Sequence, residues 1–264
     1  MTIGAREDNM PNATSWRKVR MLAAVALLAM SWTAGEEVAA RGEPVRGADA
    51  PAQMTAEAFA RRLAAPDAPG PYNVGTTTFP AIMTGGRVTL VQVFYPTLDE
   101  GDCGRKYTVQ SPAGPYQVTS PFCAVENATV APGPFAWIVY DHGGGGPGGD
   151  LQRVVQSPVH ELQATHGFPT FVALHSGDAA ARVRDLSTLI DLALARSATP
   201  GDPFHGRLDP ERIGIAGISV GGGAAVGIAG GWAARGIAAD TRIKAMVLYE
   251  PAQVTTLDDA STIS

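Results

Sequence analysis

A chain of 264 residues, 45% hydrophobic and 17% charged, can bury the core of one large domain or two small ones. The formal net charge of −5, with no basic run, gives no footing for a nucleic-acid partner. Its two cysteines have no paired Cys or His nearby at ligand spacing, so their pattern has no metal-site character.

Residues 1–40 read as a targeting segment. Trp16-Arg17-Lys18-Val19-Arg20 supplies positive charge, and residues 21–30 form an apolar run. That run is shorter than the roughly 20 residues a membrane span needs. Small residues at Thr33-Ala34-Gly35 and Val38-Ala39-Ala40 offer two cleavage points. The expectation is a secreted or periplasmic protein with no stable membrane span after cleavage; an uncleaved amphipathic leader is the alternative. Residues 41–68, rich in Ala, Pro, Arg and Glu, read as a linker, and 69–264 as the folded domain. Cys103 and Cys123 suit a disulfide in an oxidising compartment, closing a loop of about 20 residues worth about 3 kcal/mol. Two buried thiols are the other reading.

Within the domain, Thr76-Thr77-Thr78-Phe79 and residues 88–95 are β-rich and bounded by turns, which predicts an opening hairpin. The pattern then changes to strands alternating with helices. Phe135-Ala136-Trp137-Ile138-Val139-Tyr140 is apolar throughout, as in a strand covered on both faces. Ser157-Pro158 predicts a helix start and Gly167 a stop, giving a short helix over 158–166 with His160 and His166 on its surface. Phe171-Val172-Ala173-Leu174 is the next strand. A longer helix follows, with Val183, Leu186, Leu189, Ile190 and Leu194 on one face and Arg184, Asp185 and Asp191 off it. Ile213-Gly214-Ile215-Ala216 predicts a strand, Gly221 onward a helix, and Lys244-Ala245-Met246-Val247-Leu248-Tyr249 a last strand. Such alternation implies a mostly parallel α/β sheet with right-handed crossovers.

Two glycine-rich segments carry candidate chemistry. Gly217-Ile218-Ser219-Val220-Gly221 has the GxSxG pattern, in which a serine on a sharp strand-to-helix turn is held in a strained conformation with its hydroxyl free. With 31 glycines in the chain the pentapeptide is weak alone. A strand ending at Ala216 and a small-residue helix from Gly221 supply the context that makes Ser219 a nucleophile candidate; a plain Gly-rich turn is the alternative. His142-Gly143-Gly144-Gly145-Gly146 follows the strand ending at Asp141. A glycine loop there frees backbone amides to hold an oxyanion, with Gly144 and Val220 as the donor pair. No Lys-Ser or Lys-Thr follows, so a phosphate-binding P-loop does not fit; a plain flexible loop does.

The blocks "YDHGGGG", "ELQATHGFPTFVALHSGD", "DPERIGIAGISVGGGAAVG" and "IKAMVLYEPAQ", in that order, resemble the dienelactone-hydrolase, platelet-activating-factor-acetylhydrolase and polyester-hydrolase branch of the α/β-hydrolases. The resemblance implies an α/β-hydrolase fold, mostly parallel and doubly wound, with an N-terminal antiparallel hairpin. It also implies a small-molecule or lipid ester substrate and no cofactor. Serine at position 219, where dienelactone hydrolases use cysteine, favours an ester hydrolase.

The family's triad runs Ser, then Asp or Glu, then His along the chain. Here all five histidines (His142, His160, His166, His175 and His205) precede Ser219. The expectation is therefore a domain incomplete at its C-terminus, lacking the last strands and the catalytic histidine, with impaired activity. Glu250 is a possible acid, and Asp258 and Asp259 are weaker ones. His142 and His175 follow strands on the site's side, where ordering a loop or lining a cleft competes with acting as base. A non-catalytic binding module or a truncated gene product are the alternatives to an enzyme.

Overall fold

The computed structural model describes residues 68–111, 114–144, 148–174 and 179–251. The expected leader 1–40, the linker up to residue 67, Gly145, Gly146, His175, Asp258 and Asp259 lie outside these residues. The domain opens with an antiparallel hairpin of β1 (Asn73–Ile82) and β2 (Val88–Thr97). Between Cys103 and Cys123, which form a disulfide, β3 (Lys106–Ser111) and β4 (Gly114–Thr119) make a separate two-stranded ribbon. After the short β5 (Val125–Glu126) come β6 (Phe135–Asp141), α1 (Gly148–Thr165), β7 (Thr170–Ala173), α2 (Ala179–Ala198), β8 (Leu208–Ser219), α3 (Val220–Gly230) and β9 (Ile243–Pro251).

Seven strands form one sheet in the order β5-β1-β2-β7-β6-β8-β9. Strands β7, β6, β8 and β9 run parallel; β2 joins them antiparallel through β7. This is the mostly parallel α/β sheet expected from the alternation of elements, with β9 last in order among the described residues.

Every residue of β6 is buried, because helices cover both faces of the sheet. On one face Trp137 and Val139 pack with Val183, Leu186, Leu189 and Ile190 of α2 and Ala225 and Ile228 of α3. On the other, Ile138 and Tyr140 pack with Val154 and Ala164 of α1 and with Tyr107 and Val109 of the ribbon. Each fully buried large aliphatic side chain contributes about 1.5–3 kcal/mol.

Helix α1 corrects the expected short helix over 158–166. It begins ten residues earlier, at Gly148, and Pro158 lies inside it. A proline there removes the N–H that the carbonyl four residues back, on Val154, requires. The Ser157 hydroxyl donates to that carbonyl at 2.8 Å and replaces the missing bond. The Ser157-Pro158 pair therefore repairs a helix interior where it resembled a helix start. Gly167, with φ 86, does stop the chain after α1.

His160 and His166 are also buried, not surface residues. His160 sits between the rings of Phe94 and Tyr140, with centroids 5.4 and 4.3 Å away. Asp185, expected off the packed face of α2, is fully buried and pairs with Arg87 of the β1–β2 turn at 2.5 Å.

Burial pushes His160 down to about 3 from its ordinary 6.5; its bond to Gln163 opposes the shift and the His142 ring adds to it. The unfolded chain takes up this proton below about pH 6.5 while the folded chain refuses it. The neutral ring's contribution to stability is thus complete above about pH 6.5 and is lost as pH falls toward 3. Burial lowers His166 in the same direction. His160→Phe, which keeps the ring contacts, is expected to flatten the fall of unfolding free energy between about pH 6.5 and 4 by up to about 1.4 kcal/mol per pH unit. Urea titrations at stepped pH check this, and equal slopes in both proteins would contradict it.

Candidate functional site

The chain leaves β6 through α1 toward β7 on one side, and leaves β8 through α3 toward β9 on the other. The C-terminal ends of β6 and β8 are thus the point where connections diverge, which opens a crevice in sheets of this kind. The two glycine segments stand on either side of it. Strand β6 ends at Asp141, paired with Gly217 of β8, and β8 ends at Ser219.

Ser219 is the N-cap of α3, with φ 53 and ψ −122. Such a backbone costs a non-glycine residue of order 1–3 kcal/mol and persists only where its surroundings impose it. Here the glycines impose it. A Cβ on Gly221 would lie 2.2 Å from the Asp141 carbonyl oxygen and 2.7 Å from that of His142. One on Gly217 would lie 2.3 Å from the Gly221 oxygen, and one on Gly222 2.9 Å from Pro251 Cα. The first turn of α3 therefore rests directly on the end of β6.

The same seating brings the two segments together. A Cβ on Gly143 would be 3.4 Å from Ser219 Cβ and 3.3 Å from Ile218 Cγ2. Gly144 has φ 70, a left-handed conformation that glycine takes without strain. Val220 is the first residue of α3 and 43% exposed. Its amide is one of the first-turn donors that have no partner within a helix.

Behind the loop, His142 is fully buried and its Nδ1 donates to the Gly143 carbonyl at 2.9 Å. Arg182 of α2, also buried, holds the loop as well. Its guanidinium donates to both carboxylate oxygens of Asp141, to the His142 carbonyl, and to the Gly144 carbonyl at 2.6 Å. Sequence reading passed over Arg182. The available signal was its helical phase: it precedes Leu186 by four residues and Leu189 by seven, on the apolar face.

Glu250 occupies the end of β9 beside Ser219. Ile218 pairs with Tyr249 and Ser219 with Pro251, so Glu250 is the extra residue of a bulge; it is exposed and has φ 43. Non-glycine residues with positive φ thus stand at the ends of both β8 and β9. On the α1 side, burial raises Tyr140 and Tyr249 well above the ordinary phenol range, so both remain neutral.

The other candidates lie elsewhere. The Cys103–Cys123 bridge borders a groove of about 560 Å³ lined by Tyr72, Asn73, Glu100 and Phe122, at the opposite end of the sheet. His166 Nε2 donates to the Ala68 carbonyl there at 3.0 Å, and His205 lies in the turn before β8. Among the described residues no group of three or more His, Cys, Asp or Glu side chains is placed to hold a metal ion. Nor is any described helix long and apolar enough to cross a membrane.

No family model and no curated protein matches the chain. Among solved structures, a ferulic acid esterase from Streptomyces cinnamoneus aligns with a TM-score of 0.47 at 23% identity. The alignment covers 67% of this chain and 58% of that one.

Gly217→Ala is expected to lower unfolding free energy by about 2 kcal/mol or more, since its methyl would meet backbone that cannot yield. Gly104→Ala, with nothing within 4 Å of the added methyl, should stay within about 0.5 kcal/mol of wild type. Chemical denaturation of the two variants compares them; equal losses would mean that the close approach at Gly217 does not exist in solution.

Proposed function

We propose that this chain is a serine carboxylester hydrolase of α/β-hydrolase type, acting through an acyl-enzyme. The observation that carries the reading is the strained Ser219 turn at the C-terminal ends of β6 and β8, in contact with a glycine loop. Ser219 Oγ attacks the ester carbonyl carbon, and its proton passes to a general base. The oxygen that becomes negative is held by the Val220 and Gly144 amides, aided by the positive end of α3. Collapse expels the alcohol, and water then releases the acid.

Glu250 is the candidate acid, because the bulge sets it beside Ser219. His142 fits an ordering role in the loop, since its Nδ1 is engaged by the Gly143 carbonyl and its ring is buried. No described residue is assigned as the base. The substrate is a small-molecule or lipid ester. The Cys103–Cys123 disulfide accords with export to an oxidising compartment, secreted or periplasmic.

A fluorophosphonate probe tests the nucleophile, because only an activated hydroxyl displaces fluoride to form the Oγ–P bond. Labelling is expected to map to Ser219 and to vanish in Ser219→Ala. An unlabelled wild type would favour a non-catalytic binding module, and labelling that survives the substitution would move the nucleophile elsewhere.

A further inference from the structure

A planar trans peptide points its carbonyl and its N–H in opposite directions, so whatever holds the oxygen also aims the amide. In the loop after β6, successive carbonyls are held from behind. The His142 oxygen accepts from Arg182, the Gly143 oxygen from the His142 ring, and the Gly144 oxygen from Arg182. The Gly143 N–H therefore faces away from the guanidinium, and the Gly144 N–H away from the imidazole. Gly143 also abuts Ser219.

We propose that Arg182 is a positioning residue of the Ser219 site: its guanidinium fastens the His142 and Gly144 carbonyls, on either side of the Gly143 carbonyl that the His142 ring holds, and so keeps the Gly143 and Gly144 amides fixed beside Ser219. This rests on the ester-hydrolase reading for its consequence, though not for the geometry. Three features distinguish it from a simple brace between α2 and β6. Arg182 engages both oxygens of Asp141 through two nitrogens and still reaches two loop carbonyls. Its partners lie 38 to 41 residues away in sequence and fall within four consecutive positions. A lysine, with one nitrogen, can balance the Asp141 charge but cannot span the same fork of acceptors.

The test is Arg182→Lys, read in two ways. The first is the backbone order parameter of Gly143 and Gly144 in ¹⁵N-glycine protein. It should be near 0.85 in wild type and fall below about 0.6 in the variant, with the glycines of α3 unchanged. The second is fluorophosphonate labelling of Ser219. Its saturating rate should fall about 10²-fold, the scale of one lost oxyanion donor, with little change in half-saturating concentration. Rigid Gly143 and Gly144 amides with wild-type labelling in the variant would reduce Arg182 to a brace and overturn the proposal. So would glycine amides already mobile in wild type. If wild type is not labelled at all, the hydrolase reading fails, and the order parameters alone decide whether Arg182 holds the loop. Arg182→Gln takes the place of the lysine variant should that fail to fold.

Discussion

The site depends on one backbone contact, the seating of Gly221 against the carbonyls of Asp141 and His142. No side chain fits between them. This contact draws the start of α3 onto the end of β6, and the serine joining β8 to α3 must then take a left-handed turn. The strain, of order 1–3 kcal/mol, is offset by the buried face of α3, where Ala224, Ala225, Val226 and Ile228 enter the core. Every other relation at the site follows from it: Ser219 against Gly143, Gly222 against Pro251, and the bulge at Glu250 where β9 must accommodate the turn.

The two faces of the sheet support this edge with different chemistry. Under the α2 face a guanidinium and a carboxylate, Arg182 and Asp141, are buried together. A buried pair is costly unless nearly all of its hydrogen-bonding capacity is met, and Arg182 meets its own by taking two loop carbonyls as well. On the α1 face three titratable groups are kept neutral. Burial depresses His160 and raises Tyr140 and Tyr249, so that these three groups carry no charge near neutral pH.

The disulfide end of the domain is a separate construction. Glu161 of α1 accepts from the Ser120 hydroxyl at 2.8 Å and from the Phe122 amide at 3.1 Å, fastening the segment that carries Cys123. Burial raises the Glu161 carboxyl, while the nearby Tyr107 hydroxyl and the bonds from Ser120 and Phe122 oppose that shift. These anchors stabilise the ribbon of β3 and β4 without reaching the edge where Ser219 stands.

Local pattern determined much of this protein. Apolar runs such as β6, alternating with helical periodicity, dictated a mostly parallel α/β sheet, and the spacing of Gly217, Ser219 and Gly221 marked the turn. Those features depend on chain neighbours and on sterics that any reader of residue size can apply. Tertiary structure decided the rest. Pro158 was misread because its repair lies in a hydroxyl bond to Val154, and His160 and Asp185 because their burial depends on elements far away in sequence. Arg182 stayed hidden for the same reason: its partner Asp141 is 41 residues distant, and only folding brings a charge on a helix against the loop it holds. Periodicity encodes which face turns inward; what waits there for a polar group is encoded only by the assembled sheet.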